Sequence, residues 1–164
     1  MTQDAYHITD FTLPLDRHIR GYLASISEDP SYTGFEAHLL RNVRLHETNP
    51  VRQQIVYEFD VAKFMCNKTG VLHGGAISTL FDNLSSTALF AISRPGFWHH
   101  LGVSRSIAVW FHAPLPESSK VRLSCRVVSA GARMATVCAT MEDLSGKVCA
   151  SCVHEKFFIG DKKL

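Results

Sequence analysis

Residues 76–92 constrain the fold of this chain more than any other segment. The segment contains no Gly or Pro and is apolar or small on nearly every side, which predicts a helix. A helix that is apolar all round has to be enclosed by other elements. It is also too short, and too polar at Asp82 and Asn83, to span a bilayer. The rest of the chain must therefore supply a layer that wraps around it.

Extended segments flank this helix on both sides. Before it, residues 36–62 form two extended runs around an Asn-Pro turn, and alternation in the second run predicts a hairpin with one buried face. After it come four more runs, at residues 102–112, 120–128, 133–141 and 147–158. The run at 120–128 alternates apolar with polar or charged residues, which is typical of an antiparallel sheet with one solvent-exposed face.

The simplest packing of these elements is a curved antiparallel sheet of about six strands wrapped around the long central helix. This α+β arrangement is the hotdog fold. A shorter amphipathic helix is predicted within residues 13–27, where Ile19, Leu23 and Ile26 recur at helical spacing. We therefore expect an N-terminal helical extension, residues 1–35, followed by a hotdog domain, residues 36–160.

Composition narrows the classes of protein that remain. Hydrophobic residues make up 46% and charged residues 20% of the 164 positions, as in ordinary globular domains. The net charge is +2 and the cations are scattered, so nucleic-acid binding is not expected. Residues 1–11 lack the apolar run of a secretion signal, which favours a cytoplasmic location. The last three residues, Lys-Lys-Leu, leave peroxisomal import as a minor alternative.

Five cysteines, an odd count without a secretion signal, indicate reduced thiols. Cys149 and Cys152 form a C-x-x-C, but residues three apart on a predicted strand point to opposite faces. No second C-x-x-C exists to complete a zinc site. We predict a packing role for these thiols, and neither a metal site nor a cofactor.

The junction between the loop and the central helix carries groups suited to acyl chemistry. His73, Gly74 and Gly75 open the helix, where unpaired backbone N–H groups and the positive end of the helix dipole can hold a developing oxyanion. Glycine also lets a substrate carbonyl approach the backbone closely. The alternative is that the two glycines serve only the turn.

Asp82 places a carboxylate in the most apolar helix of the chain. A desolvated carboxylate is suited to act as a general base or nucleophile, although Asp82 could instead only brace a neighbour such as Ser85. Gly74 and Asp82 are separated by about 12 Å along one helix, too far to act on one carbonyl. If they act together, Asp82 of one subunit has to face Gly74 of another, which predicts at least a homodimer.

Two weaker candidates flank this helix. Asn67 lies in the loop before it and Ser104 begins the strand after it, and either side chain can orient water or a substrate carbonyl. Taken alone, each is an ordinary loop or strand residue.

Together these residues resemble a known family. The sequence NKTGVLHGG at residues 67–75, DN at 82–83 and GVS at 102–104 resemble the hotdog acyl-CoA thioesterases of the 4-hydroxybenzoyl-CoA thioesterase superfamily. The similarity is greatest to the phenylacetyl-CoA thioesterases and the thioesterase superfamily members, and it spans residues 36–158.

The resemblance implies hydrolysis of an acyl thioester, carried by CoA or by a carrier protein, to an acid and a thiol. Gly74 would polarise the carbonyl through its N–H, and Asp82 of the partner subunit would act as base or nucleophile. Asn67 and Ser104 would position carbonyl and water, while His73 would shape the loop. CoA would enter only as part of the substrate, and the oligomer would be a dimer or tetramer.

The resemblance also implies a set of substrate-binding residues: Gly75, Phe111, Gly131, Arg133 and Lys156. Arg133 and Lys156 are the candidate contacts to a CoA phosphate; the alternative is that both are solvated surface charges. Because residues 129–134 contain no other cation, a carrier-protein thioester remains an alternative to free CoA. Residues 94–101, longer than in relatives, carry bulky aromatic side chains that either roof the acyl pocket or pack on the surface.

Two further functions remain open. A hotdog dehydratase or hydratase would use a histidine and a carboxylate as acid and base, and His73 with Asp82 could supply them, but its His-Pro-Gly-Val motif and helix Glu are absent. A non-catalytic acyl-thioester-binding subunit would keep the fold and the pocket. The presence of Asn67, Gly74, Asp82 and Ser104 together argues against it.

Overall fold

The computed structural model describes residues 10–159. Its strands form one sheet in the order β1-β2-β4-β5-β6-β3, and every neighbouring pair is antiparallel. The six strands are β1 Val43–Asn49, β2 Gln54–Asp60, β3 Val103–Phe111, β4 Lys120–Ala130, β5 Met134–Asp143 and β6 Val148–Phe157. The curved sheet packs around a central helix, so the predicted hotdog fold is confirmed.

The helices are α1 Leu15–Ser27, α2 Ala37–Leu40 and α3 Gly74–Thr87, and 3-10 turns lie at Lys63–Met65 and Ala88–Ala91. The extended run predicted from residue 36 is wrong at its start, because α2 occupies that position and β1 begins only at Val43. The central helix begins at Gly74, two residues earlier than predicted, because His73 caps it. Within residues 10–159 no helix combines the length and the apolar character needed to cross a membrane.

The core lies between α3 and the sheet. Leu80 and Leu84 of α3 and Tyr57 and Leu123 of the sheet are completely buried. The Tyr57 hydroxyl is hydrogen-bonded to the hydroxyl of Thr87, which satisfies both buried polar groups. Since all of these side chains come from elements far apart in sequence, their packing fixes the position of α3 against the sheet.

Helix α1 joins this core. Ile19, Leu23 and Ile26 are buried in the same hydrophobic cluster as α3 and the sheet, as their helical spacing predicted. The division of the chain at residue 35 stays a prediction. The predictions of location rested on residues 1–11 and on the C-terminal tripeptide. Residues 1–9 and the tripeptide lie outside the described residues, so these stay predictions.

One stripe of α3 is left uncovered by the sheet. Ser78, Thr79, Asp82 and Asn83 are partly exposed, whereas α3 is buried from Leu84 onward. The expectation of a fully enclosed helix is therefore wrong for its N-terminal half. The residues on this stripe are polar, so their exposure avoids the cost of burying unpaired polar groups.

Residues 94–101 pack against the end of the sheet. Trp98 is 0% exposed, and its indole N–H donates to the carbonyl oxygen of Gly131 at 2.9 Å. Its ring lies 5.4 Å from that of Phe158 between centroids. Of the two interpretations of this segment, these contacts favour packing over a roof on the acyl pocket.

Gly102 connects residues 94–101 to the start of β3. It has a φ of +60°, and a Cβ added there would lie 2.6 Å from the carbonyl oxygen of Phe157. We expect Gly102→Ala to lower the free energy of unfolding by roughly 3 kcal/mol, because backbone strain and a clash with backbone add together. Urea unfolding of the purified variant measures this loss.

Gly146→Ala is the matched control for that substitution. Gly146 also has a positive φ, +83°, but nothing lies within 4 Å of its added Cβ. We expect Gly146→Ala to lower the free energy of unfolding by only about 1 kcal/mol, because backbone strain acts there without a clash. Equal losses in the two variants would mean that the clash at Gly102 is relieved by a small backbone shift.

Candidate active site

The N-terminus of α3 opens on an apolar cavity. The cavity has a volume of about 380 Å³ and is lined by Gly74, Leu72, Ile77 and Phe111, among others. A volume of this order is typical of small-molecule sites. The Phe111 ring lies 3.4 Å from where a Cβ on Gly74 would be, so the missing side chain keeps the backbone open to the cavity. Gly74 and Phe111, both predicted site residues, therefore meet here.

His73 organises the first turn of α3. Its Nδ1 accepts a hydrogen bond from the Gly75 N–H at 2.9 Å. This bond occupies the Gly75 N–H, and the substrate contact expected of Gly75 stays a prediction. Among residues 10–159 nothing accepts from the N–H of Gly74. That N–H is therefore available to a substrate.

Asn67 braces the loop that leads into α3. Its Oδ1 accepts from the N–H of Thr69 at 2.9 Å and from the Thr69 hydroxyl at 2.7 Å. Its own N–H donates to the carbonyl oxygen of Val71 at 2.9 Å. None of these bonds reaches Asp82 or Ser104, so within one chain the structure does not bring Asn67 to the carboxylate.

Asp82 lies on the uncovered stripe of α3. Its Oδ1 accepts a hydrogen bond from the Ser104 hydroxyl at 2.7 Å and is 3.4 Å from Nε2 of His154. The side chain is 46% exposed, so the expectation of a desolvated carboxylate is wrong for the single chain. Ser104, at the start of β3, is the predicted site residue that the structure brings to Asp82.

Two buried side chains of β6 lie beneath this carboxylate. His154 is 0% exposed and Lys156 3% exposed. Nδ1 of His154 is 2.6 Å from the Ser85 hydroxyl, and Nζ of Lys156 donates to the hydroxyls of Ser86 at 2.8 Å and Ser104 at 3.4 Å.

Their surroundings shift the proton affinity of both groups. Burial, together with the positive charge of Lys156, lowers the pKa of His154 to about 4, although Asp82 acts in the opposite direction. Burial likewise lowers the pKa of Lys156 to about 8, against the opposing effect of Asp82. At neutral pH the imidazole is therefore uncharged and the ammonium is charged.

The position of Lys156 differs from the one predicted from the sequence. It was expected either as a contact to a CoA phosphate or as a solvated surface charge, but its ammonium points inward to α3 and β3. His154 was not identified from the sequence at all. A signal did exist: Cys152, His154 and Lys156 alternate along β6, and all three are buried on the side of the strand that faces the core.

Gly131 and Arg133 make contacts with aromatic side chains. The carbonyl oxygen of Gly131 is taken by Trp98. The guanidinium of Arg133 lies 5.2 Å from the centroid of the Phe157 ring, a distance that permits a cation–π contact. The side chain of Arg133 is exposed, and its contact with a phosphate stays a prediction.

All five cysteine thiols are free. Cys149 and Cys152 are both buried, and burial raises the pKa of each, that of Cys152 to about 12. A buried thiol that holds its proton this firmly behaves as a small apolar group.

Comparisons with known proteins identify the family of this chain. The sequence model of the Thioesterase superfamily matches residues 69–150, half of the 164-residue chain. Acyl-coenzyme A thioesterase 13 of Mus musculus is 27% identical over 124 residues, which cover 75% of this chain and 84% of that protein. The matched part of the chain includes Gly74, Asp82 and Ser104.

Two solved structures share the fold. Thioesterase superfamily member 2 of zebra fish has a TM-score of 0.76 at 23% identity, covering 87% of this chain and 97% of that one. A hypothetical thioesterase protein of Streptococcus pneumoniae, solved with coenzyme A, has a TM-score of 0.65 at 16% identity, covering 75% and 90%. The chain belongs to the thioesterase superfamily and is a thioester hydrolase of the hotdog fold.

Proposed function

We propose that this chain hydrolyses acyl-CoA, holding the thioester carbonyl at the Gly74 N–H and using Asp82 as general base or nucleophile. The observation that carries the proposal is the accessible Asp82 carboxylate, one oxygen of which is held by the Ser104 hydroxyl. CoA as the leaving thiol is supported by the mouse relative, named for acyl-coenzyme A, and by the pneumococcal structure solved with coenzyme A.

The reaction follows one of two balanced routes. In the first, water gives a proton to Asp82 and adds to the carbonyl, and the resulting oxyanion is held at the Gly74 N–H. The C–S bond then breaks, and Asp82 gives its proton to the leaving thiolate. In the second, Asp82 attacks the carbonyl, the thiolate leaves, and water hydrolyses the resulting anhydride. Both consume one water and release one acid and one thiol.

A second copy of the chain would complete the site. Gly74 and Asp82 lie on one continuous helix, about 12 Å apart along its axis. Strand β3 runs beside α3, meeting it at Asp82 through Ser104 and at Gly74 through Phe111. Antiparallel pairing of β3 with its symmetry mate would therefore set the Asp82 end of one subunit against the Gly74 end of the other.

The edge of the sheet supports this pairing. β3 is an edge strand, and it carries Trp110 at 49% and Phe111 at 57% exposure. An open edge with large exposed apolar side chains is a site for association. Pairing there would also cover the uncovered stripe of α3 and reduce the exposure of Asp82.

Thiol release from a panel of aliphatic and aryl acyl-CoA esters tests the proposed function. We expect wild-type protein to release free CoA from at least one ester at a rate proportional to enzyme concentration, because both reacting groups are accessible. A thiol reagent that absorbs on reaction with free CoA measures it.

Three other outcomes would indicate a different substrate or a different function. Release only from acyl-carrier protein would identify a carrier-bound substrate. Thermal stabilisation by the esters without thiol release would indicate a binding subunit. Water addition to an enoyl-CoA would indicate a hydratase, a function that the capping role of His73 Nδ1 disfavours.

A further inference from the structure

Lys156 is a buried ammonium whose hydrogen bonds restrict a site residue. An ammonium has three donors and no acceptor, and a hydroxyl has a single proton. The Ser104 oxygen, 3.4 Å from Nζ of Lys156, can only accept from that group. Its one proton is therefore directed to Oδ1 of Asp82, 2.7 Å away.

His154 approaches the same carboxylate oxygen. Its Nε2 is buried, has no hydrogen-bond partner among the described residues and is 3.4 Å from Oδ1 of Asp82. A carboxylate at this position favours the tautomer with the proton on Nε2, in which the Ser85 hydroxyl donates to Nδ1. Oδ1 of Asp82 thus faces two donors, and Oδ2 is left to act on water or on the thioester.

We propose that Lys156 is a positioning residue for thioester hydrolysis: its ammonium orients the Ser104 hydroxyl toward Asp82, which holds the carboxylate with Oδ2 available to the substrate. The inference rests on the proposed function at Asp82. Lys156 acts through Ser104, since its ammonium is buried beneath the carboxylate and bonded to two hydroxyls.

The charge state of Lys156 decides whether this orientation holds. The charged or titratable groups that face it are Asp82 on α3 and His154 on β6, and its neighbours on β3 and β5, Ser104 and Ala135, are uncharged. Burial lowers the pKa of Lys156 to about 8, so the ammonium is lost as the pH rises through that value. The neutral amine gains a lone pair, can accept from Ser104, and no longer directs its proton to Asp82.

Lys156→Met tests the inference by removing the charge with little change in shape. We expect kcat at pH 7 to fall by roughly 10-fold with KM within about twofold, because orientation rather than substrate binding is lost. We also expect the wild-type decline of kcat above about pH 8 to be absent. Lys147→Met, at an exposed site, is the control and should keep both the rate and the decline.

A double-mutant cycle separates positioning from a general structural role. Because Lys156 acts through Ser104, Lys156→Met should cost nothing further in a Ser104→Ala background. The Ser104→Ala variant should by itself lack the decline of kcat at alkaline pH. This second measurement tests the inference even if the Lys156→Met variant does not fold. Losses that multiply, or an alkaline decline that persists in Ser104→Ala, would overturn the inference.

The same assays, run with Asp82→Asn, distinguish failure of this inference from failure of the proposed function. Full thiol release by Asp82→Asn would overturn the proposed function itself. Loss of release in Asp82→Asn together with an unchanged rate and pH profile in folded Lys156→Met would overturn only the role of Lys156. Loss in Asp82→Asn, a slower Lys156→Met and a non-additive cycle are the results expected.

Discussion

Asp82→Asn is expected to lower kcat for thiol release by roughly 10²- to 10⁴-fold, the range that a general base contributes. Asparagine keeps the shape of the side chain and can still accept the hydrogen bond that Ser104 donates to Oδ1. It can neither take a proton from water nor attack a carbonyl. We therefore expect a small change in KM, and steady-state thiol release across the panel of acyl-CoA esters measures both constants.

Asp60→Asn is the control for this substitution. Asp60 is a carboxylate of similar exposure, 52%, at the end of β2, in surface ion pairs with Arg44 and Lys120. Exposed pairs contribute little to stability, so its kcat should equal that of the wild type. If Asp82→Asn retained more than half of the wild-type kcat while folded, the chemistry would have to lie elsewhere.

Gly74→Pro is expected to lower kcat by roughly 10²- to 10³-fold, the cost of one oxyanion donor. Gly74 is the first residue of α3, and His73 before it has φ −66° and ψ 137°, a conformation that a following proline accepts. The substitution therefore removes the N–H while α3 still forms. Gly74→Ala keeps the N–H, and its Cβ meets only the Phe111 ring at 3.4 Å, so it should remain much more active.

Mixing the two inactive variants tests whether the site is shared between subunits. After Asp82→Asn and Gly74→Pro chains are exchanged by mild unfolding and refolding, half of the dimers are mixed, and each mixed dimer has one intact site. Thiol release should therefore recover to about a quarter of the wild-type rate.

Two controls accompany the mixing experiment. Each variant refolded alone should stay inactive, and sedimentation or light scattering should show at least a dimer. No recovery in a sample that contains mixed dimers would mean that Gly74 and Asp82 do not act across the subunit interface.

Much of the fold was predictable from local patterns. The apolar run that became α3, the alternation along β4 and the turn residues between strands each depend on neighbours within a few positions. The same holds in part for the segment from Asn67 to Gly75. The side chains of Asn67 and His73 bond to residues at most four positions away, whereas the backbone of Gly70 and Leu72 bonds to Glu117 and Leu115. Short α2 was missed because a four-residue helix has too few residues to show a period.

The sequence by itself determined a central helix with a sheet around it. It also identified three candidate site residues: Gly74 at the start of that helix, Asp82 within it and Ser104 in the strand that follows. Only the tertiary structure decided that Asp82 is exposed and that Lys156 is buried beneath it. Lys156 and its partner Ser86 are 70 residues apart in the chain. Burial depends on which distant elements pack over a residue, whereas sequence periodicity shows only which side of its own strand or helix the residue occupies.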